Sequence, residues 1–272
     1  MKEERQGVAP RALGIRDLLT LLALLCLLAA FPFLIDLSSS SERGQTLPGF
    51  EYDPPWARTA RNSGPLWVLD TDGALGRVNR QPKHLALRDL ARMHGHLCDG
   101  LVISWVELGV ALRALFPDGI VDRTDLRVIS KNGPCWVDAA AWTTGARINH
   151  GTLVLEASVG DGFIVQRIST GQAVRVSLRP DVFPTALAEL ERSIRARRAA
   201  GEPVAPEEID RAETMANELS KKLLNASPDA VVWLEPLTNF EFPVQGLGLV
   251  VPRSDIINKD LPRTPTREGV PE

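Results

Sequence analysis

The sequence predicts an α+β fold in which a small antiparallel sheet is flanked by helices and preceded by one N-terminal transmembrane helix. Two patterns predict the domain. Apolar residues recur at helical spacing in several long stretches, and short β-branched or alternating stretches between them are separated by glycine-containing turns. An uncharged N-terminal stretch predicts the membrane segment. With 272 residues, of which 44% are hydrophobic, the chain is long enough to bury one good core.

The N-terminal apolar stretch covers residues 18–35 and contains no charged side chain. Its length is close to the minimum for a membrane-spanning helix. Basic residues cluster before it, whereas only Arg43 lies near its far end, so the positive-inside rule places residues 1–17 in the cytoplasm and the remainder outside it. We expect a single-pass protein of the cell membrane, with its C-terminal domain in the periplasm or outside the cell. The alternative is a cleaved signal peptide and a secreted product, because both begin with basic residues and an apolar run.

Three further regions follow the membrane segment. Residues 36–66 contain a serine run and several prolines with few periodic apolar positions, which is typical of an extended linker. Residues 67–251 form the predicted globular domain. Residues 252–272 combine prolines with charged side chains and are predicted to be an irregular tail.

Within the domain, the apolar periodicity predicts both helices and strands. We expect helices at residues 85–93, 99–116, 135–144, 185–199 and 206–225. We expect strands at residues 126–129, 152–156, 163–168, 173–178 and 231–234. The middle strands are separated by short turns, which indicates antiparallel pairing.

The residue types most suited to chemistry are scarce and concentrated. Beyond the membrane segment the cysteines are Cys98 and Cys135, and two of the four histidines, His94 and His96, lie just before Cys98. On an extended backbone the alternating residues 94, 96 and 98 would point to one side. Both cysteines lie at predicted helix starts, where the helix dipole favours the thiolate form. Asp138 follows Cys135 by about one turn.

Imidazole and thiolate ligands suit zinc, copper, nickel or iron better than magnesium or calcium. We therefore predict a transition-metal site, with zinc as the preferred metal and no organic cofactor. The candidate ligands are His94, His96, Cys98, Cys135, Asp138 and His150. A catalytic interpretation makes Cys98 a nucleophile activated by His96. A third interpretation is a disulfide between Cys98 and Cys135, which an oxidising compartment would allow.

A family resemblance rests on these same residues. The segment His94-Gly95-His96-Leu97-Cys98-Asp99-Gly100-Leu101 resembles the His-Gly-His-x-Cys-Pro-Gly-Leu signature of the FmdE family, which is named for a component of formylmethanofuran dehydrogenase. Residues 135–139 resemble its Cys-x-x-Asp-Ala segment, and residues 170–176 resemble its Thr-Gly-Lys-x-Val-Arg-Val strand. The resemblance implies an FmdE-like α+β core domain, often an intertwined homodimer, with a metal or catalytic site around His96, Cys98 and Cys135.

The sequence also departs from the family pattern. Asp99 replaces the proline of the signature, and His150 stands where the family usually has a lysine. No cysteine follows Cys135, so we expect the C-terminal zinc finger of many members to be absent.

These observations predict a membrane-anchored, extracytoplasmic protein that binds a metal, either for metal handling or as an accessory subunit of a membrane redox complex. A Cys/His-based or metal-dependent enzyme of unknown substrate is one alternative, and a structural, disulfide-bonded assembly subunit is another. The expected partners are the membrane, a second copy of the chain and a membrane protein complex. A net charge of −3, without basic patches, argues against nucleic acid as a partner.

Overall fold

The computed structural model describes residues 52–73, 76–77 and 81–243. These residues belong to one compact unit that begins at Tyr52. None of the helices in this part of the chain combines the length and the apolar composition needed to cross a membrane. The predicted transmembrane helix at residues 18–35 and the predicted tail at 252–272 lie outside the described residues.

The described residues form a mixed α+β domain, as predicted. The helices are α1 (Pro55–Arg58), α2 (Leu87–His94), α3 (Asp99–Leu115), α4 (Pro134–Thr144), α5 (Thr185–Ala199), α6 (Pro206–Asn225) and α7 (Pro228–Val231). The strands are β1 (Leu66–Leu69), β2 (Lys83–Leu85), β3 (Ile120–Asp122), β4 (Leu126–Ser130), β5 (Leu153–Leu155), β6 (Gly162–Arg167), β7 (Ala173–Leu178) and β8 (Val232–Leu237). Three short 3-10 turns occupy Arg61–Ser63, Ile148–His150 and Ala157–Val159.

The main sheet has five strands in the order β5-β4-β6-β7-β8. The pairs from β4 to β8 are antiparallel, as predicted, and their register aligns Val128, Val165 and Val174 across the sheet. These three valines are buried on the face that packs against the helical core. The edge strand β5 instead pairs with β4 in parallel. The fully antiparallel prediction is therefore wrong at this edge, because α4 makes a crossover between β4 and β5 that a hairpin turn could not make.

The sequence patterns did not indicate a second, three-stranded sheet in the order β2-β1-β3. Its strands have only three or four residues each, which is too short for periodicity to show. The segment leading into it also differs from the predicted linker. Residues 52–66 contain α1 and a 3-10 turn, and the small side chains of Ala57 and Ala60 are buried in the core. One of the prolines in the predicted linker, Pro55, begins α1.

The central helix α3 is buried along nearly its whole length. It packs against α4, α6 and the inner face of the main sheet, which is why its sequence is apolar on all sides rather than along one stripe. Its N-terminus points toward the end of α2 and the start of α4. The chemistry-bearing residues of the sequence lie at this junction.

Candidate metal centre

Three side chains from three helices converge at this junction. His94 is the last residue of α2, Cys98 is the N-cap of α3, and Cys135 lies in the first turn of α4. The His94 Nε2 atom lies 3.9 Å from the Cys98 Sγ atom and 3.7 Å from the Cys135 Sγ atom. The two sulfur atoms are 3.5 Å apart. All three ligand atoms lie within 4.8 Å of one another, which makes this group a candidate metal centre.

The backbone between His94 and Cys98 is not extended, contrary to the expectation from the alternation of residues 94, 96 and 98. Gly95 ends α2 in the left-handed conformation, with φ +101°, and reverses the direction of the chain. His94 and Cys98 therefore meet because they lie at the facing ends of two consecutive helices. A side chain at position 95 would strain this turn, since few residues other than glycine adopt a positive φ.

Gly100 allows α4 to approach α3 closely enough to bring the cysteines together. A Cβ atom at position 100 would lie 3.0 Å from the Cys135 Sγ atom and 3.3 Å from the ring of Trp136. The first distance is tighter than ordinary van der Waals contact, so any larger residue would have to displace Cys135. The glycine of the motif thus has a packing role that sets the separation of the two thiols.

Asp138 holds the imidazole of His94 in position. Its Oδ2 atom lies 2.7 Å from the Nδ1 atom of His94. The His94 side chain is only 6% exposed, whereas that of Asp138 is 35% exposed. With Nδ1–H donating to this carboxylate, the Nε2 lone pair faces the two sulfur atoms, which is the tautomer that a metal requires. The structure therefore places Asp138 behind His94 as an orienting group, outside the ligand triangle.

The remaining predicted ligands lie outside the triangle. His96 is exposed, and its ring is tilted against that of His94 with 4.8 Å between the ring centroids. His150 lies in the 3-10 turn Ile148–His150, and its side chain is half-buried. Among the described residues, the group able to hold a metal consists of His94, Cys98 and Cys135.

The two thiols share a proton. Hydrogen bonding from the Cys98 thiol lowers the pKa of Cys135, whereas the same hydrogen bond, together with burial, raises the pKa of Cys98. Cys135 therefore ionises first. Burial also raises the pKa of Asp99, and the negative charge of Glu191 on α5 acts in the same direction. Two thiolates at this separation would repel each other, so full deprotonation of the pair calls for a bound cation.

Two neighbours of the site were not indicated by the sequence. The Lys131 Nζ atom lies 3.4 Å from the centroid of the Trp136 ring, in a cation–π contact beside Cys135. The same ammonium group forms an ion pair with Asp161. Lys131 precedes Cys135 by four residues in the β4–α4 connection, and this spacing alone does not reveal which way its side chain turns.

The separations within the triangle match those required by zinc. Zn–S bonds of about 2.3 Å and Zn–N bonds of about 2.0–2.1 Å, at tetrahedral angles, place two sulfur ligands about 3.8 Å apart and a sulfur and a nitrogen about 3.6 Å apart. The observed separations of 3.5, 3.7 and 3.9 Å lie within a few tenths of an ångström of these values. The donor set of one imidazole and two thiols is also one that zinc accepts.

Comparison with known proteins places the chain in a family. The model of the FmdE family, described as "FmdE, Molybdenum formylmethanofuran dehydrogenase operon", matches residues 93–232, which is just over half of the chain and includes all three residues of the triangle. The chain belongs to the FmdE family. The resemblance seen in the sequence motifs is thereby confirmed. No curated protein matches the sequence.

Among solved structures, the FmdE chain is similar to an FmdE-like protein of tungsten formylmethanofuran dehydrogenase from Syntrophus aciditrophicus. The two share 16% sequence identity and a TM-score of 0.35. The match covers 56% of this chain and 72% of the other.

Proposed function

We propose that this FmdE-family protein binds a transition metal, with zinc as the preferred ion, through the Nε2 atom of His94 and the Sγ atoms of Cys98 and Cys135. One observation supports the proposal above all others. Three donor atoms of the types that zinc prefers, contributed by three different helices, lie at the mutual separations of a tetrahedral zinc site.

The chain's own residues prepare these donors for a cation. Asp138 fixes the His94 tautomer, and a partner of this kind also raises the basicity of a ligating imidazole. Cys98 and Cys135 lie at the starts of two helices, where backbone N–H groups stabilise negative charge. A zinc ion bound here would supply Lewis-acid chemistry at its fourth coordination position.

Metal analysis of the purified full chain tests this proposal. We expect one zinc ion per chain, and we expect Cys98→Ser and Cys135→Ser each to weaken zinc binding at least a hundredfold, because each removes a thiolate ligand. Cys26→Ser is the matched control, since it removes the third cysteine of the chain, which lies outside the described domain. A folded wild-type protein that takes up no zinc, or a double variant of Cys98 and Cys135 that retains it, would overturn the proposal.

For its location and partners, we propose that residues 18–35 anchor the protein in the cell membrane and that the metal-binding domain lies outside the cytoplasm. The support is the uncharged stretch and the asymmetry of the basic residues around it. In that location the site would serve metal handling, or the protein would be an accessory subunit of a membrane redox complex. A second copy of the chain is the partner that the family resemblance implies.

A second candidate function, a metal-dependent enzyme, is favoured by the number of ligands. Three protein ligands are typical of catalytic zinc sites, whereas structural zinc sites have four. The exposed His96 ring lies against that of His94, within reach of a molecule that approaches the site. Substitution with Co²⁺ tests this candidate, because visible absorption bands that shift on addition of cyanide indicate an exchangeable fourth position. Bands unaffected by cyanide would argue against an enzyme.

A further inference from the structure

A second feature of the domain lies away from the metal centre. A cavity of about 190 Å³ opens between the segment at residues 61–66, the outer face of α3 and the start of α7. Arg113 on α3 is among its lining residues and follows Cys98 by fifteen positions, or roughly 22 Å along a helix. The cavity therefore does not belong to the zinc site.

Two arginines, Arg61 and Arg113, give this cavity its charge. Within the described part of the chain, neither guanidinium donates a hydrogen bond or forms an ion pair. Burial lowers the pKa of Arg113, and the negative charge of Asp229 offsets this only in part. The Arg113 side chain lies back over Gly109, where a Cβ atom would come 3.4 Å from its Nη1 atom. The cavity thus contains two cationic groups without an acidic partner in contact.

The remaining wall is apolar and fixed in place. Pro65, Leu66 and Val106 line it beside the arginines. The Trp105 Nε1–H group donates to the carbonyl oxygen of Asn62 at 2.8 Å, which ties the segment to α3. The Asn62 amide in turn donates to the carbonyl oxygens of Leu223 and Ala226, at 3.0 and 2.8 Å. This wall is therefore preformed, and binding would not require it to be ordered first.

We infer that this cavity binds a small organic anion, whose carboxylate or phosphate head contacts Arg61 and Arg113 and whose short apolar body packs against Pro65, Leu66 and Val106. Guanidinium groups match both head groups in bidentate geometry. At about 30 Å³ per water molecule, the cavity volume corresponds to about six waters, which limits the ligand to a small one. The apolar wall favours an anion with a hydrocarbon body over a bare inorganic ion.

Calorimetric titration of the full chain, purified in a nonionic detergent, tests the inference with three probes: butyrate, monobutyl phosphate and inorganic phosphate. We expect butyrate or monobutyl phosphate to bind at least tenfold more tightly than inorganic phosphate, and the tighter of the two identifies the head group. We expect Arg61→Gln and Arg113→Gln each to weaken that binding at least tenfold. Arg113→Lys should restore part of it, because lysine keeps the charge but lacks the planar fork.

Arg211→Gln is the matched control, because Arg211 is an arginine on α6 that does not line the cavity. It should bind the probe as the wild type does. Unchanged binding in both Arg61→Gln and Arg113→Gln would overturn the inference, as would binding of inorganic phosphate alone or of none of the three probes. Anion binding here does not depend on the metal, since the zinc content of the arginine variants should equal that of the wild type.

Discussion

His94 determines the geometry of the metal centre because its two ring nitrogens have separate tasks. Nδ1 donates to Asp138, and Nε2 faces the two cysteine sulfurs. The side chain is almost fully buried, so the ring has little freedom to turn away. His96, two residues later, is exposed and lacks this support. The choice between the two histidines is thus made by burial and by the carboxylate behind one of them.

Removing the charge of Asp138 tests its orienting role. We expect Asp138→Asn to weaken zinc affinity about 10–100-fold, because the neutral amide still fills the space but no longer raises the basicity of His94. Competition with a chromogenic chelator measures the change. Asp181→Asn, which removes an exposed carboxylate outside the metal centre, should leave zinc affinity unchanged. Equal affinities for Asp138→Asn and the wild type would show that the contact has no such role.

Glu107, in the middle of α3, makes folding stability depend on pH. It is fully buried, and neither carboxylate oxygen has a hydrogen-bond partner of good geometry. Burial raises the pKa of Glu107 well above its ordinary value of about 4.3, because the charged form is desolvated, and the nearby backbone of Leu178 offsets this only in part. The folded state therefore holds the proton more tightly than the unfolded chain. Its contribution to stability is complete below about pH 4.3 and is lost as pH rises toward the folded-state pKa.

The Glu107→Gln variant should lack this pH dependence, since its amide does not titrate. Above about pH 4.3, the free energy of unfolding of the wild type should fall relative to the variant by about 1.4 kcal/mol per pH unit, until the folded-state pKa is reached. Urea denaturation of both proteins between about pH 5 and pH 8 measures the difference. Parallel stability profiles would mean that Glu107 does not hold a proton in the folded state.

At the scale of elements, long periodic segments were predictable and short or non-local ones were not. Residues 185–199 and 206–225 are helical at the predicted bounds, because each carries several turns of an unbroken pattern. The parallel pairing of β5 depends on the crossover through α4, which no local pattern records. The strands β1 to β3 are too short to leave a periodic signal.

The candidate site was predictable to a similar extent. Scarcity and helix-start positions identified Cys98 and Cys135, and the one-turn spacing brought in Asp138. The left-handed turn at Gly95 decides that His94 faces the thiols, and an extended backbone would not have produced this arrangement. The role of Gly100 depends on the approach of α4, which is a tertiary contact.

The close approach of α3 and α4 at Gly100 is open to a single-atom test. A Cβ at this position would press on the Cys135 Sγ atom at 3.0 Å, so Gly100→Ala should displace Cys135 and weaken zinc affinity at least tenfold. Gly109→Ala is the matched control on the same helix, because its Cβ would meet only the flexible end of Arg113. Chelator competition on the two variants measures the effect. Unchanged affinity in Gly100→Ala would show that the helices adjust without moving the thiol.

At the scale of the whole molecule, the chain combines a predicted membrane segment with a domain whose metal centre lies at the junction of three helices. If residues 18–35 span the membrane, the full chain should stay in the membrane fraction after an alkaline carbonate wash, and protease added outside the cytoplasm should reach the domain. Leu27→Arg should release the protein, because an arginine at the centre of a span costs about 3 kcal/mol or more. Leu27→Ile should not. A wild-type protein that the carbonate wash extracts would contradict the anchor.

Zinc K-edge X-ray absorption on the zinc-loaded full chain measures the ligand set itself. The geometry predicts two sulfur scatterers at about 2.3 Å and nitrogen or oxygen scatterers at about 2.0–2.1 Å, one of them with the outer-shell signature of imidazole. In Cys98→Ser that still binds zinc, one sulfur scatterer should be lost. A spectrum with only nitrogen and oxygen scatterers would contradict a zinc site formed by His94, Cys98 and Cys135.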